Sequence, residues 1–227
     1  MLHTPIGALV FDFDGLIVDT EWPEFQAWQE LCLEYHVELS LETWLPCVGT
    51  GATTQVFDPH TYLETQYGQP LDRAEVRARC RPRHLALIEA QPILPGVKAL
   101  LSEAKQRGLG LAVASSSPRT WVNGHLSRLG LLEYFDTLAC GDEVARTKPY
   151  PDLYLAALEQ LGVQANQAIA FEDSLNGMRA AQQAGIFCVV VSNPLTQHLV
   201  FEPLDLRLTS LAESTLDELI EHSSRRL

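Results

Sequence analysis

Four short runs of uninterrupted apolar, β-rich residues, at 8–12, 111–115, 168–172 and 187–191, each end in polar residues, and a weaker run lies at 137–140. Continuous rather than alternating hydrophobicity predicts strands covered on both faces, as in a parallel sheet. Between the runs, apolar positions recur at helical spacing. Val97, Leu100, Leu101 and Ala104 form one face that stops at Gly108. Val122, Leu126 and Leu129 follow Ser117, read as an N-cap, and Pro118, read as the first helical residue, and they stop at Gly130. Leu153, Ala157 and Leu161 follow Pro151 and stop at Gly162, and a fourth helix is predicted over 175–184, before Gly185. Strands alternating with glycine-stopped helices predict an α/β fold, a doubly wound parallel sheet of the Rossmann-like kind.

The stretch 20–92 breaks that rhythm. Phe25, Trp28, Leu31, Cys32 and Tyr35 share a helical stripe, later positions read as further helices, and no strand pattern occurs. An all-helical module is therefore expected at 20–92, inserted after the first strand of an α/β domain made of 1–19 and 93–227. Pro92, Pro95 and Gly96 mark the return to the sheet.

Composition narrows the partners. The chain has 227 residues, is 46% hydrophobic and carries a formal net charge of −13, which suits a folded domain with a sizeable core. So acidic a chain lacks the basic surface that nucleic acid or an anionic membrane requires, so neither is an expected partner. The five cysteines (Cys32, Cys47, Cys80, Cys140, Cys188) form no CxxC pair and read as reduced thiols. With no leader-like or membrane-length apolar segment, the expectation is a cytoplasmic, monomeric protein acting on a small molecule.

The chemistry gathers at the strand ends, where ligands bind in a doubly wound sheet. Asp12 and Asp14 close the first run; Ser115, Ser116 and Ser117 follow the second; Lys148 precedes Pro149; Glu172, Asp173 and Ser174 close the fourth. At an effective dielectric of about 20, two like charges about 4 Å apart repel by roughly 4 kcal/mol. Paired carboxylates at a buried strand end therefore call for a neutraliser or a held proton. Carboxylates, hydroxyls and one lysine suit phosphoryl transfer with Mg²⁺, a cation that prefers oxygen ligands and completes its shell with substrate phosphate.

The order DFDGLIVDTE, SSS after an apolar strand, KPYPD and FEDSLNG resembles the four-motif pattern of the haloacid dehalogenase-like (HAD) superfamily, in the branch with a helical cap after the first motif. That branch contains β-phosphoglucomutase and many sugar-phosphate phosphatases. The resemblance implies that Asp12 is a nucleophile forming an aspartyl-phosphate, and that Asp14 protonates the leaving alcohol and then takes a proton from water. It implies that Asp12, the backbone carbonyl of Asp14 and Asp173 hold Mg²⁺, with Glu172 assisting through a water. It further implies that Ser115 and the amide of Ser116 grip the phosphoryl oxygens, while Lys148 balances charge. Members that cleave carbon–halogen bonds typically lack the second aspartate, so Asp14 favours a phosphate ester.

Each feature also has a local reading. Asp12 alone is compatible with a strand-end cap, Ser115–Ser117 and Asp173–Ser174 with helix caps, and Lys148 with a solvated loop. In the cap, Gly49 and Thr50 of the loop 48–54 are candidates for reaching the substrate, against a simple turn. Arg79, Arg81 and Arg83 are candidates for a second anionic group, against a solvated helix face. Trp22 is a candidate for the cavity wall, against cap core. β-Phosphoglucomutase-type enzymes carry a histidine where Glu24 stands and an arginine soon after the cap-loop glycine, where this chain has only Gly, Thr and Ala. These departures favour water as the acceptor, hence a phosphatase. A hexose-phosphate mutase and a non-catalytic binding protein of the same fold are the alternatives.

Overall fold

A computed structural model describes residues 5–45 and 57–225. Six parallel strands, β1 (Ala8–Phe11), β2 (Gly110–Ser115), β3 (Thr137–Cys140), β4 (Ala168–Glu172), β5 (Phe187–Val191) and β6 (Leu206–Leu208), form one sheet in the order β3-β2-β1-β4-β5-β6. β1 is central, with Phe11 in register with Val113 on one side and Phe171 on the other. The strand order reverses direction at β1, which places the crevice for a ligand at its carboxyl end, beside that of β4. Short edge strand β6 was not among the predicted elements; Leu206 and Leu208 flank Arg207, and all three are only half-buried, so the run lacks the continuous apolar signal of its neighbours.

The helices are α1 (Glu21–Glu34), α2 (Leu41–Trp44), α3 (Pro59–Tyr67), α4 (Arg73–Glu89), α5 (Val97–Gln106), α6 (Arg119–Arg128), α7 (Asp152–Leu161), α8 (Leu175–Gln183) and α9 (Leu216–Arg225). Successive side chains of a strand face opposite ways, so each strand serves two cores. Leu9 and Phe11 join Leu101 of α5, Leu126 of α6 and Leu219 of α9 on one face; Ala8 and Val10 join Tyr154 of α7 and Met178 of α8 on the other. The second face is built from small residues, Ala112, Ala114, Ala139, Ala168 and Ala170 among them, and this leaves room for Tyr154 to be wholly buried. No helix among the described residues is long and apolar enough to cross a membrane.

The chain divides into two compact units, Met1–Val18 with Ile93–Leu227, and Asp19–Pro92. Within the second, α1 packs against α4, burying Phe25, Trp28, Leu31 and Cys32 with Val76, Cys80 and Ile88. Arg83 grips Glu30 with Nε at 2.6 Å and Nη2 at 3.0 Å, and Arg79 pairs with Glu34 and donates to the Tyr35 hydroxyl at 2.7 Å. Two of the three arginines considered for an anionic substrate are thus committed to tying α4 to α1. These pairs are solvent-exposed and add little stability each. Trp22 is partly exposed with its ring edge-on to Phe25.

Candidate active site

Asp12 follows β1 directly, and its amide continues the β1–β4 ladder by donating to the Phe171 carbonyl at 2.9 Å. That register carries its carboxylate to the end of β4. Asp12 Oδ1 accepts the Phe13 amide and the Lys148 ammonium, both at 2.7 Å. Lys148 lies 2.6 Å from Glu172 Oε1, so one buried cation bridges two buried carboxylates contributed by sequence positions far apart. Asp173 completes a group in which Asp12, Glu172 and Asp173 each offer one oxygen, all within 4.8 Å of one another.

Burial, the charges of Glu172 and Asp14, and only partial relief from Lys148 push the Asp12 carboxyl well above the usual carboxylate range. Burial works to discharge Lys148, but Asp12 and Glu172 outweigh it and hold the ammonium protonated. Three carboxylates against a single ammonium leave the centre short of positive charge. An all-oxygen donor set with that deficit fits a hard divalent cation.

Two glycines let the pieces meet. Gly15 has φ of 77°, a left-handed conformation, and a Cβ there would strike the Asp173 carboxylate. Gly177 lies in the first turn of α8, and a Cβ there would occupy the place of the Glu172 carboxyl group. Gly177 thus makes room for Glu172. Ser174 caps α8 by accepting the Gly177 amide at 3.1 Å and also donates to Glu172 Oε2 at 3.3 Å. Asn193 donates to Asp173 Oδ2 at 2.9 Å.

The β2 end departs from expectation at two residues, Ser117 and Pro118. α6 begins at Arg119 with Pro118 as its N-cap, and Ser117 does not cap it. The Ser117 hydroxyl donates to Asp14 Oδ2 at 2.6 Å, while Trp121 Nε1 donates to Asp14 Oδ1 at 3.0 Å. Ser115 is buried, accepts the Ser117 amide at 3.0 Å and stands 3.5 Å from Asp14 Oδ2. Ser116 is exposed, and its carbonyl comes so close to Gly141 that a Cβ there would collide with it.

Asp12, Asp14, Ser115, Lys148, Glu172 and Asp173 therefore converge, with Ser116 beside them. Gly49 and Thr50 lie outside the described residues. Three supporting residues escape sequence reasoning, Trp121, Tyr154 and Asn193, while Ser117 is read there as a cap. Only Asn193 carries a readable signal, since Ser192 and Asn193 follow β5 as the other clusters follow their strands. Tyr154 donates its hydroxyl to Glu172 Oε1 at 2.6 Å, and Lys148 Nζ lies 5.6 Å from its ring centre.

Residues 9–191 match the family described as haloacid dehalogenase-like hydrolase. YhcW of Bacillus subtilis (strain 168) is 44% identical over 217 residues, covering 96% of this chain and 97% of that one. Hexitol phosphatase B of Escherichia coli (strain K12) is 33% identical over 223 residues, covering 96% of this chain and all (100%) of that one. The crystal structure of CbbY from Rhodobacter sphaeroides in complex with phosphate matches with a TM-score of 0.69 at 34% identity, over 92% of this chain and 96% of that chain.

Proposed function

The chain belongs to the haloacid dehalogenase-like hydrolases, and from that premise we propose that it is a Mg²⁺-dependent phosphatase that hydrolyses a small phosphorylated metabolite, a sugar phosphate, through an aspartyl-phosphate on Asp12. The observation that carries this reading is the junction of β1 and β4, where Lys148 bridges Asp12 and Glu172 beside Asp173. Residues 1–19 and 93–227 form the catalytic core in this reading, and 20–92 form the helical cap that selects the substrate.

Asp12, Asp173 and the Asp14 backbone carbonyl would hold Mg²⁺, with Glu172 behind them. The ion, when bound, offsets the like charges of nucleophile and phosphate. The chain's own residues do the rest. Asp12 Oδ1 is held by Lys148 and the Phe13 amide, which leaves Oδ2 for the phosphorus. Lys148, 2.7 Å from Asp12 Oδ1, opposes the effect of burial and so favours the ionised, nucleophilic form of Asp12. Ser115 and the Ser116 amide bind the transferring oxygens. Asp14 gives a proton to the leaving oxygen and later takes one from the attacking water. Gly49 and Thr50 of the cap are proposed substrate contacts.

A panel of phosphorylated metabolites assayed for phosphate release with Mg²⁺ tests the reading. Release from one or more sugar phosphates is expected, and none from any monoester, aryl phosphates included, contradicts it. Isomerisation of a hexose phosphate primed with its bisphosphate would instead identify a mutase, as in the alternative that the missing cap histidine and arginine disfavour.

A further inference from the structure

Asp14 is held from two sides by residues of one segment. Ser117 and Trp121 lie four apart, at the end of the β2 loop and in the first turn of α6, and each donates to a different oxygen of the carboxyl group. The Trp121 ring packs edge-on against His125, ring centres 4.3 Å apart, and the Phe13 ring lies 6.1 Å from His125. We propose that Trp121 is a positioning residue for proton transfer: its indole N–H fixes Asp14 so that Oδ2, and not Oδ1, exchanges the proton with the leaving group. This rests on the reading of Asp14 as the acid.

An indole N–H only donates, and a bare carboxyl oxygen accepts it better than a protonated one, so the 3.0 Å contact to Oδ1 favours carrying the proton on Oδ2. A serine hydroxyl donates or accepts, so Ser117 tolerates Oδ2 either bare or protonated. In the first half-reaction Asp12 bonds to phosphorus while the bond from phosphorus to the ester oxygen breaks, its electron pair staying on that oxygen. The oxygen takes the proton from Asp14 Oδ2. In the second, the oxygen of water bonds to phosphorus, its proton goes to Oδ2, and Asp12 departs as a carboxylate. A carboxyl group fixed at one oxygen makes both transfers from the same place without turning.

The test uses leaving groups of similar shape. p-Nitrophenyl phosphate departs as a stable phenolate that needs no proton, whereas benzyl phosphate departs as an alkoxide that does. The readout is the ratio of kcat/KM for benzyl over p-nitrophenyl phosphate in each preparation with Mg²⁺, a quantity that cancels any loss of folded enzyme. For Trp121→Phe the ratio should fall by about tenfold or more, the scale of a lost hydrogen bond to a charged group, and the fall should lie in kcat rather than KM. For Asp14→Asn it should fall further. Equal losses on both substrates in Trp121→Phe mean a packing role and overturn the inference. An unchanged ratio in Asp14→Asn overturns the assignment of Asp14 itself. Should the phenylalanine variant not fold, replacing the indole of Trp121 by benzothiophene keeps the shape, removes only the N–H and is read by the same ratio.

Discussion

The Tyr154 hydroxyl donates to Glu172 Oε1 at 2.6 Å across the alanine-lined face of the sheet, and both residues are wholly buried. The same oxygen of Glu172 accepts from Lys148, so the position of the bridging ammonium depends on a tyrosine of α7. Burial first, and the Glu172 and Asp12 charges next, push the phenol well above its ordinary value, which keeps it a donor. Tyr154→Phe removes the donor and leaves a buried charge one partner short. We expect a loss of about 1–3 kcal/mol in unfolding free energy, the cost of an unmet buried polar group. The urea midpoint measures it, and a midpoint equal to that of the unaltered chain would refute the anchoring role.

Gly177→Ala should be more damaging than an ordinary helical Gly→Ala change, which usually helps a helix. Its methyl group has nowhere to go but the space of the Glu172 carboxyl. The expected result is about 1–3 kcal/mol of destabilisation from overpacking together with weaker Mg²⁺ binding by calorimetry. A more stable protein with intact metal affinity is the contrary outcome.

Metal and charge can be separated at Asp173. Without Mg²⁺, three carboxylates share one ammonium, so Asp173→Asn relieves repulsion while keeping an acceptor for Asn193. In chelator the variant should melt at or above the temperature of the unaltered chain. With Mg²⁺ the order should reverse, since binding at about 100 Kd adds about 2.7 kcal/mol to a protein that retains the site. Identical Mg²⁺-dependent shifts in the two proteins would remove Asp173 from the ligand set.

The thiols of the helical unit supply a pH test. Burial pushes Cys32 up to about 11, and burial, then Glu24 and Cys32, push Cys80 up to about 12, from a reference of 9.0. The folded chain therefore keeps protons that the unfolded chain loses. Their contribution to stability is complete below about pH 9 and falls as pH rises from there toward the folded values. Urea midpoints should decline as the pH rises from about 9 toward 11, and Cys32→Ala with Cys80→Ala should flatten the decline. Rapid alkylation of both thiols at pH near 8 in the native protein would show them to be less enclosed than this.

The core of the fold is legible because its strands are covered on both faces. Residues 8–11, 168–171 and 187–191 are apolar without interruption, and the glycines at 108, 130, 162 and 185 mark helix ends by their left-handed backbones. β6 escapes because three half-buried residues carry no pattern. α9 lies beyond the predicted elements, although Leu216, Leu219, Ile220 and Ser223 recur at helical spacing. In the site, the converging carboxylates are legible because carboxylates at strand ends are costly and therefore conspicuous. Their supports are not: Trp121 and Tyr154 read as ordinary core aromatics, and only the tertiary register turns their N–H and O–H toward Asp14 and Glu172. Ser117 reads as a cap by its place before Pro118, but α6 starts one residue later, with Pro118 at the N-cap position, and the Ser117 hydroxyl donates to Asp14.

The most direct measurement is chemical capture at Asp12. Enzyme quenched during turnover of p-nitrophenyl phosphate with Mg²⁺, reduced with borohydride and mapped by peptide mass spectrometry, should show homoserine at position 12 and nowhere else, and Asp12→Asn should show neither homoserine nor phosphate release. Phosphate release that persists in Asp12→Asn, or reduction at a different carboxylate, would contradict the account.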